Sequence, residues 1–175
     1  MRGDDKAEIR LRGERLIDHV IRGMTPQVDE ILIAGPSKYG AKIENIVDRS
    51  DGPAGPVAAL WSVANWLRDH RPAVKGFLAA PVDGPFLRDD LYACLAAGDA
   101  SSIAETDDGL HPTFGYWRCD KILNALQKTE PGAGVSLHRL AESIGADKVY
   151  FDDANAFFNI NSPDDLKRAE EIIQP

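Results

Sequence analysis

The sequence predicts an α/β fold of three layers, with helices on both faces of a mostly parallel central sheet. Short apolar runs alternate along the chain with amphipathic helical patterns, and this alternation is typical of a parallel sheet covered by helices. The chain has 175 residues, of which 43% are hydrophobic, and a chain of this size can bury a core without disulfides or metals. No repeat or linker divides it, so residues 1–175 are predicted to form a single domain.

The elements follow from local patterns taken in chain order. Apolar residues recur at helical spacing before Pro26, which predicts the first helix over 16–24. Further helices are predicted at 57–67, around Leu91 and Leu95, and at 121–129, 137–144 and 163–173. Apolar or alternating runs bounded by turn residues predict strands at 30–34, 46–47, 77–80, 100–105, 111–117 and 149–151, with a further extended segment at 158–161.

The last helix has the clearest start. Ser162 is a natural N-cap, Pro163 suits the first helical position, and Asp164 and Asp165 favour the positive end of the helix dipole. This combination predicts that the helix begins immediately after residue 162.

Charge and composition exclude some partners. The formal net charge is −8, and the basic residues form no cluster of the kind that holds a phosphate backbone, so no nucleic-acid partner is expected. No apolar run approaches the roughly 20 residues of a membrane span, and the start lacks a signal-peptide core, so we expect no membrane association and a cytoplasmic location. The two cysteines, Cys94 and Cys119, are too far apart in sequence to suggest a disulfide framework or a zinc site.

Residues 76–87 carry the most suggestive feature, a lone carboxylate at the end of a predicted strand. The apolar run stops at Pro81, Asp83 follows, and Gly84 and Pro85 turn the chain. Ligands of open α/β sheets bind at the carboxyl ends of the strands, and Mg²⁺ prefers one or two carboxylates with waters and substrate phosphates. A carboxylate that only accepts backbone N–H groups in a turn would have the same pattern.

A second feature is the loop at 51–56, which precedes a predicted helix. Gly52 and Gly55 are flanked by prolines, so the backbone could approach an anion at the helix N-terminus, although a stiff loop without a ligand fits equally well. Elsewhere, Lys6 could pair with a phosphate or be a solvated surface residue. Asn159 and Asn161 could share one side of an extended segment and bind a polar ligand, or simply lead into the helix cap.

The order of these motifs along the chain is more informative than any one of them. GDDK at 3–6, GPAGP at 52–56, PVDGPF at 81–86, HPT at 111–113 and FNINSPDDL at 158–166 together resemble the MobA-type molybdenum cofactor guanylyltransferases. The resemblance extends over essentially the whole chain. It implies a Rossmann-like nucleotidyltransferase fold and an Mg²⁺-dependent transfer of GMP from GTP to molybdenum-bearing molybdopterin, with release of pyrophosphate.

The resemblance also implies roles for individual residues. Asp83 is similar to the family's metal and nucleotide aspartate, and Lys6 to the lysine that contacts the nucleotide phosphates; both are expected to be catalytic. Asp48 resembles an acidic nucleotide contact, and Gly55 belongs to the glycine-rich loop near the nucleotide. Asn159 and Asn161 resemble the paired asparagines on the pterin side. Protein partners in cofactor delivery are a further implication.

Two departures from the family pattern stand out. Where the family has an asparagine nucleotide contact, this chain reads Ile33-Ala34-Gly35, so the resemblance gives no side chain for choosing guanine. The family also opens with a strand and an LAGG loop that cradles the triphosphate, whereas this sequence starts inside the end of that motif. The resemblance therefore implies an N-terminally shortened version of the working protein, which would bind nucleotide weakly and be less stable.

Other functions fit the same residues. A related cytidylyltransferase or a sugar-phosphate nucleotidyltransferase would use the same fold with another nucleotide or acceptor. A degenerate relative that binds a partner or pterin without catalysis is the alternative of a different class.

Overall fold

The computed structural model describes residues 5–37, 39–40 and 42–173. A 3₁₀ turn at Lys6–Glu8 leads into a short antiparallel hairpin of β1 (Arg10–Leu11) and β2 (Glu14–Arg15). The remaining strands are β3 (Leu32–Ala34), β4 (Glu44–Ile46), β5 (Gly76–Ala79), β6 (Ser102–Thr106), β7 (Gly109–Arg118) and β8 (Asp147–Tyr150). The helices are α1 (Leu16–Met24), α2 (Pro56–His70), α3 (Leu91–Leu95), α4 (Cys119–Leu126), α5 (Leu137–Ser143) and α6 (Pro163–Ile172), and a second 3₁₀ turn lies at Ala154–Phe157.

The α/β class is confirmed, but the central sheet is mixed rather than mostly parallel. Its order is β5-β7-β6-β8, with β7 antiparallel to both β5 and β6 and only β6–β8 parallel. The physical reason is the two-residue connection between β6 and β7, which is too short for a crossover and forces a hairpin. β3 and β4 form a separate parallel pair.

The central sheet is covered on both faces, as the predicted three layers require. Ile103 and Trp117 pack on one face with side chains of α2, α4 and α5. Ala104, which follows Ile103 in β6, and Phe114, three residues before Trp117 in β7, pack on the other face with α3 and the second 3₁₀ turn. Side chains of a strand alternate between faces, so each strand contributes to both cores.

β7 contains a bulge beside the predicted site. Ile103 pairs with Gly115 and the next residue of β6 pairs with His111, so residues 112–114 have no partner on β6. Pro112 lacks the N–H that a ladder needs, which accounts for the interruption at this point.

β3 and β5 run in the same direction with a gap between them. Glu30, just before β3, forms an ion pair with Arg71, which precedes β5, at 3.3 Å. At the other ends, Ile33 and Val82 belong to one apolar cluster. A largely apolar cavity of about 750 Å³ is lined by both strands and by α1 and α2, and within the described ranges no strand pairs with either of them across it.

No helix in the described part of the chain is both long and apolar enough to cross a membrane.

Candidate active site

Asp83 lies in a tight turn directly after β5. The N–H of Gly84 donates to the carbonyl of Pro81 at 3.2 Å and closes the turn, and the N–H of Ile160 donates to the carbonyl of Asp83 at 2.8 Å. These bonds fix the backbone on both sides of the carboxylate, whose side chain is only 15% exposed. The strand-end position predicted from the sequence is confirmed.

Gly84 is required for the close packing of this turn. A Cβ on residue 84 would lie 2.5 Å from Cζ of Phe114, and the Phe114 ring is completely buried. The turn can therefore rest on β7 only because residue 84 has no side chain.

Lys6 reaches this turn from the beginning of the described chain. The side chain of Asp5 accepts the N–H of Ala7 at 3.1 Å and starts the 3₁₀ turn that carries Lys6. Lys6 Nζ donates to Asp83 Oδ2 at 2.7 Å and to Asn161 Oδ1 at 2.5 Å. Three of the predicted site residues, Lys6, Asp83 and Asn161, thus meet in one cluster.

The two predicted asparagines have different surroundings. Asn161 is exposed and contacts Lys6. Asn159 Oδ1 is buried without a hydrogen-bond partner in the described structure, and it would lie 3.0 Å from a Cβ on Gly84. The segment that carries both is fastened to the Asp83 turn through Ile160.

Gly55 and Asp48 lie elsewhere, near the N-terminus of α2. Gly55 occupies the cap position with φ of +77°, and among the described residues no atom beyond its chain neighbours lies within 4 Å of the position that a Cβ would take, so this side of Gly55 faces open space. Asp48 follows β4 on the surface, and partial burial of its carboxyl group among protein atoms raises its pKa. Across the described ranges, no hydrogen bond or ion pair joins either residue to the Lys6–Asp83 cluster.

Sequence reasoning missed the segment that holds the glycine loop. The N–H of Ala54 donates to the carbonyl of Ala133 at 3.0 Å, and the N–H of Gly132 donates to the carbonyl of Gly52 at 2.9 Å. Because these contacts are between backbones, the only available signal was the pair of glycines at 132 and 134.

His111 is not part of the cluster. Its Nε2 lies 2.8 Å from Oγ1 of Thr106, and its ring stacks on Phe157 with 5.2 Å between the ring centroids. Burial lowers the pKa of this imidazole. These contacts give His111 a structural role in packing β7 against the second 3₁₀ turn.

A divalent cation fits Asp83 as a single carboxylate ligand. In the described part of the chain no three Asp, Glu, His or Cys side chains converge on a possible metal position. Asp83 Oδ2 accepts from Lys6, whereas Oδ1 accepts no hydrogen bond from any described residue. One free carboxylate oxygen suits a cation that takes its other ligands from water and substrate phosphates.

The amino-acid sequence is similar to those of curated nucleotidyltransferases. The molybdenum cofactor guanylyltransferase of Cereibacter sphaeroides is 31% identical over 179 residues, which cover 99% of this chain and 91% of that protein. The protein of the same name from a Bradyrhizobium species is 28% identical, with 98% of this chain and 86% of that protein covered.

Solved structures of nucleotidyltransferases have a similar fold. The molybdopterin-guanine dinucleotide biosynthesis protein A of Archaeoglobus fulgidus superposes with a TM-score of 0.70 at 25% identity, covering 98% of this chain and 91% of that one. The 2-C-methyl-D-erythritol 4-phosphate cytidylyltransferase of Thermus thermophilus shares the fold, with a TM-score of 0.65 at 18% identity and coverage of 97% and 94%. Residues 1–144 match the family described as the MobA-like NTP transferase domain. The chain therefore belongs to the MobA-like NTP transferase family.

Proposed function

We propose that this nucleotidyltransferase transfers GMP from GTP to the terminal phosphate of molybdenum-bearing molybdopterin and releases pyrophosphate. The observation that carries the proposal is the Lys6–Asp83 pair at the carboxyl end of β5, with its 2.7 Å contact. The names of the two curated relatives support GTP and molybdopterin as the substrates. A phosphate oxygen of the acceptor attacks the α-phosphorus of GTP, and the bond from that phosphorus to the α,β-bridging oxygen breaks.

The reaction requires the protein to align the two reactants and to neutralise phosphate charge, but it does not require a general base. The attacking phosphate oxygen is already anionic, so no proton has to be removed, and the position of His111 away from the cluster is no obstacle. Lys6 would neutralise charge on the phosphates because its ammonium group is positively charged. That group has three hydrogen-bond donors, and the described residues accept from two of them. Holding both reactants in line is the other large contribution to the rate.

Asp83 is the residue that would hold Mg²⁺. When bound, the ion supplies positive charge close to the phosphates and the departing pyrophosphate. Lys6 and the ion would share one carboxylate, with the lysine on Oδ2 and the ion on Oδ1, the oxygen that accepts no hydrogen bond from the described residues.

The remaining assignments rest on position. The backbone at Gly55 faces open space at the N-terminus of α2, a geometry that suits a phosphate or another anion. Asp48 precedes that loop on the surface and is proposed to contact the nucleotide. The segment 159–161 lies beside Asp83, and the likeness of Asn159 and Asn161 to the paired asparagines of the family supports the proposal that the acceptor phosphate arrives from this side.

We also propose that the protein is cytoplasmic and that a partner protein takes part in cofactor delivery. Both Cys94 and Cys119 are free thiols, which agrees with a reducing compartment.

The direct test is transfer of α-labelled nucleotide to molybdenum-bearing molybdopterin with Mg²⁺. A single-turnover format, with the protein in excess, detects even slow transfer. We expect labelled guanine dinucleotide from GTP, because the curated relatives are named as guanylyltransferases. The rate from CTP should be at most about one tenth of that, the discrimination typical of an enzyme against a substrate that its pocket does not fit. Faster transfer from CTP would identify a cytidylyltransferase, and no transfer from either would indicate a binding domain.

A further inference from the structure

We infer that Asn161 is a positioning residue for Lys6. Its amide oxygen holds the ammonium group in place beside Asp83, so Asn161 acts on the nucleotide phosphates through the lysine rather than by touching the pterin acceptor. The inference rests on the proposed function in one respect, since it assumes that Lys6 meets the phosphates of GTP.

The first argument is the contact itself. Lys6 Nζ donates to Asn161 Oδ1 at 2.5 Å and to Asp83 Oδ2 at 2.7 Å. A lysine side chain has a flexible four-carbon stem, and its rotamer freedom is large. The side chain of Lys6 is 39% exposed, so packing alone does not hold it, and two fixed acceptors are what restrict the ammonium group. No third acceptor among the described residues contacts the ammonium group, so its third donor could serve a phosphate oxygen.

The second argument is that the backbone around Asn161 is anchored on both sides. Asp165 Oδ2 accepts the N–H of Asn161 at 3.0 Å and the N–H of Ser162 at 2.8 Å. On the other side, Ile160 is completely buried and its N–H is bonded to the carbonyl of Asp83. An acceptor with both neighbours anchored can direct a mobile lysine.

The third argument is the contrast between the two asparagines. The amide oxygen of Asn161 accepts from Lys6, and within the described part of the chain its Nδ2 makes a single long contact, 3.5 Å from the carbonyl of Asn159. Asn159 has its own oxygen buried beside the Asp83 turn, where it accepts no hydrogen bond from the described residues. The pair therefore does not act as two equivalent amides on one ligand.

The first experiment is a double-mutant cycle on GTP binding, measured by calorimetry with Mg²⁺ and without molybdopterin. Loss of a hydrogen bond to a charged group predicts that Asn161→Ala weakens GTP binding about tenfold. The double variant with Lys6→Ala should bind no more weakly than Lys6→Ala alone, because residues that act through each other are not additive. Asn161→Asp keeps the acceptor oxygen and should retain the lysine.

A matched control is Asn155→Ala, a change of the same type at an exposed asparagine in the 3₁₀ turn at Ala154–Phe157. Its side chain makes no hydrogen bond to the described residues, so GTP binding should be unchanged. Unchanged GTP binding in Asn161→Ala, or losses that simply add in the double variant, would overturn the inference and return Asn161 to the acceptor side.

The second experiment needs no nucleotide. The exchange of the Lys6 ammonium protons with water, followed by NMR, should be slow in the wild type and at least about fivefold faster in Asn161→Ala, because one of two acceptors is gone. Equal exchange in both proteins would overturn the inference. A wild-type chain that binds no GTP would overturn the proposed function instead, and the exchange measurement would still decide whether Asn161 holds Lys6.

Discussion

Asp83 is constrained more tightly than a surface aspartate would be. Its carbonyl accepts from Ile160, its carboxylate accepts from Lys6, and its neighbour Gly84 packs directly on Phe114. The carboxylate is therefore already ordered in one orientation before a ligand binds. Preorganisation of this kind is what electrostatic stabilisation of a transition state requires.

Gly84→Ala tests whether the packing under the turn matters. The new Cβ would approach the buried Phe114 ring to 2.5 Å, so the turn or the ring must move, and overpacking of this kind lowers the free energy of unfolding by about 1–3 kcal/mol. GMP transfer should fall as well, since Asp83 moves with the turn. Gly98→Ala is the matched control, because nothing lies closer than 3.9 Å to its Cβ. Equal stability of the two variants in urea unfolding would show that the turn is not packed as described.

At the level of elements, the N-terminus of α6 fixes the backbone of Asn161, which contacts Lys6. Ser162 and Asp165 form a reciprocal capping box, and the same Asp165 carboxylate accepts the N–H of Asn161. The sequence predicted the cap from Ser162 and Pro163. It did not predict that the capping carboxylate would also fix the residue that contacts Lys6, because that depends on where the preceding segment runs.

Asp165→Asn tests whether the charge of this carboxylate stabilises the fold, because its effect on stability should depend on pH. Hydrogen bonds from the Ser162 side chain and the Asn161 backbone hold the pKa of Asp165 below its ordinary value of 3.8. A carboxyl group with a lowered folded-state pKa stabilises the protein above its unfolded pKa, and this contribution is lost as the pH falls through the folded value. The wild type should therefore exceed Asp165→Asn in stability at pH 6, and the difference should shrink below about pH 4.

Asp164→Asn is the control for that comparison. Asp164 is in the same turn but is 90% exposed and pairs only with Lys167, at 3.0 Å, among the described residues, and exposed pairs of this type contribute little. Thermal unfolding followed over the same pH range measures both variants. A stability difference for Asp165→Asn that stays constant down to about pH 2 would contradict the assigned role of its charge.

At the scale of the whole molecule, apolar periodicity predicted most helices and strands but did not predict how the strands pair. Apolar spacing predicted α1 over 16–24, and the structure has it at Leu16–Met24. The split between β3–β4 and the central sheet was not predicted, because strand pairing depends on contacts distant in sequence. The helix predicted around Leu91 and Leu95 is short, and the structure has it at Leu91–Leu95.

The site shows the same division between local and distant information. The strand end at Asp83 was predictable from the turn residues around it, whereas Lys6 lies 77 residues away and Asn161 is 155 residues from Lys6. No spacing rule joins residues so distant, and only the family resemblance brought them together. The backbone contacts of residues 132–134 with the glycine loop escaped both approaches, because neither partner uses a side chain.

The central claim is that Asp83 is the carboxylate on which nucleotidyl transfer depends, and Asp83→Asn tests it most directly. The variant keeps the shape of the side chain and should retain the circular dichroism spectrum of the wild type. Asp89→Asn, at an exposed position just before α3, provides the control. We predict that Asp83→Asn slows single-turnover GMP transfer from GTP by about 100-fold or more, the cost of losing a principal electrostatic group, while Asp89→Asn transfers at the wild-type rate. Transfer by a folded Asp83→Asn protein at a rate near that of the wild type would contradict the claim.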